Sequence, residues 1–97
     1  MDKPTDPAVL LTFAKVAVEF GDIEGAISAL ERLLLIDGDQ PEIKLELGVL
    51  YYRLGSIETA QAYLKEARDS DSATDDIRKR AETFLKEGVK PSDVARH

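Results

Sequence analysis

The chain has 97 residues, enough for one small domain, and its 43% hydrophobic and 33% charged residues are typical of a globular fold. Cysteine is absent and the only histidine is His97, which excludes disulfides, thiolate metal sites and a histidine-based catalytic triad held in a core. The net charge is −6, and residues 1–74 carry 7 basic and 14 acidic side chains; this acidic excess disfavours nucleic acid and anionic membranes as partners.

The first part of the chain predicts two helices separated by a tight turn. Pro7 suits the first position of a helix, because its missing N–H needs no partner there, and this helix is predicted to reach Phe20. Gly21 then ends the helix, since glycine adopts the left-handed conformation at low cost. Asp22 is expected to cap a second helix over residues 23–36.

The second part repeats this arrangement and adds one more helix. Gly55 and Ser56 repeat the stop and the cap, and Thr74 can cap the last helix. The three further helices are predicted over residues 41–54, 57–69 and 75–87. No segment alternates apolar and polar residues over the length of a strand, so the predicted fold class is all-α with five helices.

An offset of 34 residues relates the first two helices to the next two. The aligned pairs include Pro7 and Pro41, Gly21 and Gly55, Ala26 and Ala60, Leu30 and Leu64, and Asp37 and Asp71. This period is typical of a helix-turn-helix unit that buries its apolar face by stacking on copies of itself. The small residues expected where antiparallel helices cross closely are Ala14, Ala26, Gly48 and Ala60, and the larger residues expected to fill the space beside them include Phe13 and Leu47.

These positions resemble the tetratricopeptide repeat family. The second unit carries the motif as Leu47-Gly48-x-x-Tyr51 followed by Gly55, Ala60, Leu64 and Ala67, and the first as Phe13-Ala14-x-x-Ala17 followed by Gly21, Ala26 and Leu30. The resemblance implies a right-handed superhelical stack of antiparallel hairpins that binds proteins without catalysing a reaction. It divides the chain into a lead (1–6), two repeats (7–40 and 41–74), a capping helix (75–88) and a flexible tail (89–97).

A narrower resemblance concerns the compartment. Residues 30–34 and 45–56 are similar to bacterial repeat domains that precede outer-membrane barrels in secretion and surface-assembly proteins. A place in a larger protein of this kind implies a periplasmic domain. The chain as written lacks an apolar leader at residues 1–4, which predicts a cytoplasmic location instead.

The resemblance also implies that the first helix of each hairpin lines a concave groove. The expected partner-binding residues are Leu11, Lys15, Val18, Leu45, Val49, Tyr52 and Arg53. Charged edges are expected from Glu19, Glu42, Glu46, Lys79 and Arg80. Tyr52 and Arg53 are the strongest anchor candidates by residue type. The alternative is a solvated face with routine charges and some intramolecular packing.

The sequence argues against an acidic chaperone tail as the partner of this groove. Family members that hold the acidic tails of heat-shock chaperones use paired asparagines, whereas this chain has no asparagine and its groove carries three glutamates.

The first helix is apolar almost all round, which favours burial on more than one side. Three alternatives follow: the chain belongs to a longer array, it forms a homodimer through the first helix and the groove, or its N-terminal residues cover the helix.

Catalysis, metals and cofactors are not predicted. Glu42 and Glu46 lie one helical turn apart and could share acid–base work, but a pair on a wet surface is the expected reading. The segments 37–39 and 69–71 are rich in aspartate, yet neither begins a calcium loop with its closing glutamate in register.

Overall fold

Five α-helices make up residues 7–88, the part of the chain that this computed structural model describes. They are α1 (Pro7–Glu19), α2 (Ile23–Ile36), α3 (Pro41–Leu54), α4 (Ile57–Asp69) and α5 (Asp75–Glu87). The all-α prediction is confirmed, and only α1 differs from its predicted bounds, because Phe20 already belongs to the turn. The predicted lead (1–6) and flexible tail (89–97) lie outside the described residues.

The helix starts show which capping predictions are correct. The Asp22 carboxylate accepts a hydrogen bond from the backbone N–H of Gly25 at 3.0 Å. The Thr74 hydroxyl accepts one from the N–H of Ile77 at 3.2 Å. Ser56 occupies the predicted N-cap position of α4 with a backbone conformation almost that of Asp22, but its side chain makes no capping hydrogen bond.

The helices within a hairpin approach each other closely. Gly21 and Gly55 have φ values of 81° and 89°, so each reverses the chain in two or three residues and the flanking helices run antiparallel. A Cβ atom added to Gly48 on α3 would lie 2.7 Å from both Cγ and Cδ2 of Leu64 on α4, and 3.2 Å from the carbonyl oxygen of Ala60. The expectation of a small residue at this crossing is confirmed, since no side chain fits there.

The core forms two apolar clusters on either side of α3. The first joins α1, α2 and α3, and includes Leu10, Ala14, Ala26, Leu30, Leu33, Ile43, Leu47 and Leu50. The second joins α3, α4 and α5, and includes Leu45, Val49, Leu64, Ala67, Ile77, Ala81 and Phe84. Because α3 contributes to both clusters, it fixes the position of α1 on one side relative to α5 on the other.

The repeat is not symmetric in what it buries. Leu47 of α3 is completely buried between the hairpins, whereas Phe13, its counterpart on α1, is 51% exposed. Val16 is 43% exposed, and its counterpart Leu50 is buried. The expectation that Phe13 fills the core is therefore wrong. The reason is positional: α2 packs on this side of α3, and no described helix packs on the same side of α1.

Candidate functional site

A concave groove runs between α1 and α3 and is bounded on one side by α5. Its volume is about 360 Å³. Six larger aliphatic side chains and one alanine form its floor: Leu11, Ala14, Val18, Leu30, Ile43, Val49 and Leu50. Charged side chains form its rim: Lys15, Glu19, Glu42, Glu46 and Arg80. An apolar floor with a few polar groups at the edge is the usual composition of a binding groove.

Four of the predicted partner-binding residues line this groove. They are Leu11, Lys15, Val18 and Val49. Lys15 is exposed, while Leu11 and Val18 are half-buried against the first cluster and present part of their surface to the groove. Val49 is buried and forms floor rather than edge, so a ligand could touch it only at the bottom of the groove.

The other three predicted residues lie elsewhere. Leu45 is completely buried in the second cluster, because α4 and α5 cover that side of α3. Tyr52 is half-buried against the same cluster, with its hydroxyl end beside Gly88 at the end of α5. Arg53 is exposed near the end of α3 and does not line the groove. The expectation that these three side chains line the groove is therefore wrong, and for Leu45 and Tyr52 the reason is the packing of α5 against α3.

Several floor residues were missed by sequence reasoning. Ile43 and Leu50 of α3 line the groove and also belong to the first core cluster. They are seven positions apart, about two helical turns, and therefore share one face. That spacing was the available signal: a residue can close a core on one side and still reach a groove with the end of its side chain.

The charges of the rim influence one another. The Arg80 guanidinium lies 4.0 Å from a carboxylate oxygen of Glu46 and 3.9 Å from one of Asp76. Loss of hydration is the main cause that raises the pKa of the Glu46 carboxyl, and the neighbouring Glu42 raises it further. Arg80 and Lys15 oppose this rise in pKa by favouring the charged form. The prediction that Glu42 and Glu46 share one face of a helix is therefore confirmed, and both lie at the rim of the groove.

The rim of the groove is in contact with solvent. The Glu46 side chain is 49% exposed, so water reaches the carboxylate. Among residues 7–88, no group of three or more histidine, cysteine, aspartate or glutamate side chains could hold a metal ion. No helix within the same residues is long and apolar enough to cross a membrane.

A second polar cluster joins three helices away from the groove. The hydroxyls of Tyr51 on α3 and Tyr63 on α4 both donate hydrogen bonds to one carboxylate oxygen of Glu31 on α2, at 2.8 and 3.1 Å. The two rings are stacked with their centroids 5.7 Å apart. Partial burial, followed by the hydrogen bond to Glu31, raises the pKa of Tyr63 to about 12. This cluster was not predicted, because its members are 20 and 32 positions apart.

The aspartate-rich turns also have a structural partner. Asp39, in the turn after α2, accepts hydrogen bonds from the hydroxyls of Ser70 and Ser72 at 3.2 and 2.7 Å. These contacts join the turn between the hairpins to the turn before α5. They use both carboxylate oxygens of Asp39, which stabilises the stacking of successive units at this edge.

Comparison with known proteins agrees with this architecture. A sequence model of the tetratricopeptide repeat family matches residues 17–79, more than half of the chain, from within α1 to within α5. Comparisons with curated proteins and with solved structures gave no match. The chain belongs to the tetratricopeptide repeat family, whose stacked hairpins generally serve in contacts between proteins.

Proposed function

We propose that the chain is a non-catalytic protein-interaction module that holds a peptide or a helix of a partner in the groove between α1 and α3. The observation that supports this proposal is the aliphatic floor of a groove about 360 Å³ in volume. A cavity of about 150 Å³ lined by such side chains can hold a benzene molecule, so this groove has room for more than one aliphatic side chain of a ligand.

The groove combines two sources of binding free energy. Removing apolar surface of Leu11 and Val18 from water favours association at about 25 cal/mol per Å² of buried surface. The charged rim contributes orientation more than affinity, because ion pairs in contact with water are worth about 0–1 kcal/mol each. We therefore expect moderate affinity, with the apolar contacts deciding its strength.

Substitutions at the floor test this proposal. A glutamate in place of Leu11 or Val18 puts a charge where a ligand's apolar side chain would lie. Peptides selected by display on the parent chain should bind each variant at least tenfold more weakly, a loss of about 1.4 kcal/mol. Leu35→Glu is the matched control, since Leu35 is 87% exposed at the end of α2 and outside the groove. Equal binding by all four proteins would refute the groove assignment, provided that circular dichroism shows each variant to be folded.

A second candidate function is self-association through α1. Phe13, Val16 and Phe20 lie at three- and four-residue spacing on one face of the α1 segment and are 51%, 43% and 84% exposed. The opposite end of the stack is closed by polar side chains of α5: Arg78, Lys79, Glu82, Thr83 and Lys86 are all exposed. Head-to-tail assembly would place the apolar face of α1 against the polar face of α5. We therefore propose a symmetric homodimer in which α1 packs against α1 of the second copy, with the adjoining grooves at the margin of the interface.

Sedimentation equilibrium tests this dimer directly. We expect a dimer for the parent chain at micromolar concentration and a monomer for Phe13→Glu, because the substitution would bury two unpaired charges at the interface. Leu35→Glu adds the same charge at another exposed apolar residue and should leave the dimer intact. A parent chain that is monomeric at high micromolar concentration would refute self-association and leave the groove proposal standing.

A location next to an outer-membrane barrel is an alternative to a cytoplasmic scaffold. It is supported by the similarity of residues 45–56 to bacterial repeat domains of secretion and surface-assembly proteins. In that setting the same groove would hold a segment of the translocated or assembled protein. Fractionation of the source cells distinguishes the two, since only the alternative predicts the chain in the periplasm.

A further inference from the structure

The acidic and basic side chains of the groove rim differ in whether they have partners of opposite charge. Arg80 lies within 4.0 Å of the carboxylates of both Glu46 and Asp76, and Lys15 is near enough to Glu46 to lower the pKa of that carboxyl. Among residues 7–88, Glu42 has no ion-pair or hydrogen-bond partner. The rim thus offers carboxylate oxygens that can accept hydrogen bonds, while its ammonium and guanidinium groups already have anionic neighbours.

Glu42 and Glu46 form a distinct corner at the start of α3. They are four positions apart and so lie one above the other on the same helix face. Lost hydration is the main cause that raises the pKa of the Glu46 carboxyl; Arg80 opposes the rise, and repulsion from Glu42 adds to it. A cation placed between these carboxylates would relieve that repulsion and would add charge-assisted hydrogen bonds.

We propose that the groove selects segments in which an apolar side chain is followed, about one helical turn away, by lysine or arginine. The apolar side chain occupies the aliphatic floor between Leu11 and Val18, and the basic group lies between the carboxylates of Glu42 and Glu46. Acidic segments are excluded by the same pair. This inference rests on the proposed function, because it names the chemistry of the ligand for that groove.

Charge complementarity supports a basic ligand over an acidic or neutral one. The five charged side chains of the rim are three glutamates, one lysine and one arginine. The arginine, Arg80, also forms an ion pair with Asp76. The apolar floor makes free cations or small basic molecules poor ligands, since they would leave it in contact with water. An amphipathic peptide segment satisfies both parts of the groove.

Two synthetic helical peptides provide the test. Both consist of leucine, alanine and glutamine, and they differ only in carrying lysine or glutamate one turn after each leucine. Isothermal titration calorimetry at physiological ionic strength should show the lysine peptide binding at least tenfold more tightly than the glutamate peptide. Equal binding of both would overturn the proposed selectivity while leaving the groove function intact. Absence of binding by both would overturn this inference together with the proposed function.

Matched double variants separate local recognition from general attraction to an acidic protein. Glu42→Gln with Glu46→Gln removes two negative charges from the corner and should reduce the lysine peptide's advantage to less than threefold. Glu24→Gln with Glu58→Gln removes the same charge from exposed first-turn sites on α2 and α4, outside the groove, and should preserve the advantage. If both double variants lose it to the same degree, long-range charge explains the preference and the proposed corner is wrong.

Discussion

Replacing Gly48 by alanine tests the closest helix crossing in the fold. The new methyl group would lie 2.7 Å from two carbon atoms of Leu64 and 3.2 Å from the carbonyl oxygen of Ala60. Overfilling a packed core costs about 1–3 kcal/mol, and Leu64 is completely buried, so the upper half of that range applies. Alanine in the middle of a helix gains about 1 kcal/mol over glycine. We therefore expect a net loss of about 1–2 kcal/mol in the free energy of unfolding.

The double variant isolates the steric contribution. Leu64→Ala alone should cost about 2–5 kcal/mol, because it removes a buried side chain from the second cluster. In that background the overlap with the Leu64 side chain is absent and only the 3.2 Å approach to the carbonyl oxygen of Ala60 opposes the helix-propensity gain. Gly48→Ala should then be neutral or stabilise the protein by up to about 1 kcal/mol, which corresponds to a coupling energy of about 1–3 kcal/mol between positions 48 and 64.

Urea denaturation followed by circular dichroism measures these free energies. Ala62→Gly, at an exposed site on α4, is the control that measures the helix-propensity difference in this protein without a packing change. The reasoning is refuted if Gly48→Ala matches or exceeds the parent in stability. It is equally refuted if the substitution has the same effect with leucine and with alanine at position 64.

Two further predictions concern capping and ionisation. Asp22→Ala should lower the free energy of unfolding by about 1 kcal/mol, because it removes the carboxylate that accepts a hydrogen bond from the N–H of Gly25. Ser56→Ala should be nearly neutral, because that hydroxyl makes no capping hydrogen bond. Urea denaturation of both variants measures the difference. Folding raises the pKa of Tyr63 from its ordinary value of 10.0 to about 12. The stability that the protonated hydroxyl contributes is therefore complete below pH 10 and is lost as the pH rises towards 12. Denaturation curves across that range should show this loss in the parent chain, and a Tyr63→Phe variant should lack it. A decline of stability with pH that is identical in Tyr63→Phe would contradict the assignment of the effect to the partly buried, hydrogen-bonded hydroxyl of Tyr63.

Local signals made the helices predictable. Glycine at the turns and proline at the starts act within a few residues, and the period of 34 residues places two copies of them in the same phase. The need for a small residue at position 48 followed from the same repeat, because two hairpins of equal length must cross at equivalent points. Both inferences depend on backbone geometry, which sequence spacing determines well.

The groove was predictable only in part, because spacing fixes a helix face but not what covers it. Leu45 and Val49 lie one turn apart, yet α5 buries the first completely while the second reaches the groove floor. The exposure of Phe13 depends likewise on a neighbouring helix rather than on its own position in the repeat. The hydrogen bonds of Glu31 to two tyrosines could not be read from spacing at all, since they require the packed arrangement of three helices.

The central claim is that the groove between α1 and α3 holds a partner segment, and amide chemical-shift mapping tests it most directly. Peptides selected by display on the parent chain would be titrated into isotopically labelled protein. The account predicts shifts concentrated at Leu11, Lys15, Val18 and Glu46, with the amides around Leu35 unchanged, and loss of these shifts in Val18→Glu. Shifts confined to the exposed face of α1 around Phe13, or spread along the outer side of α4, would contradict it.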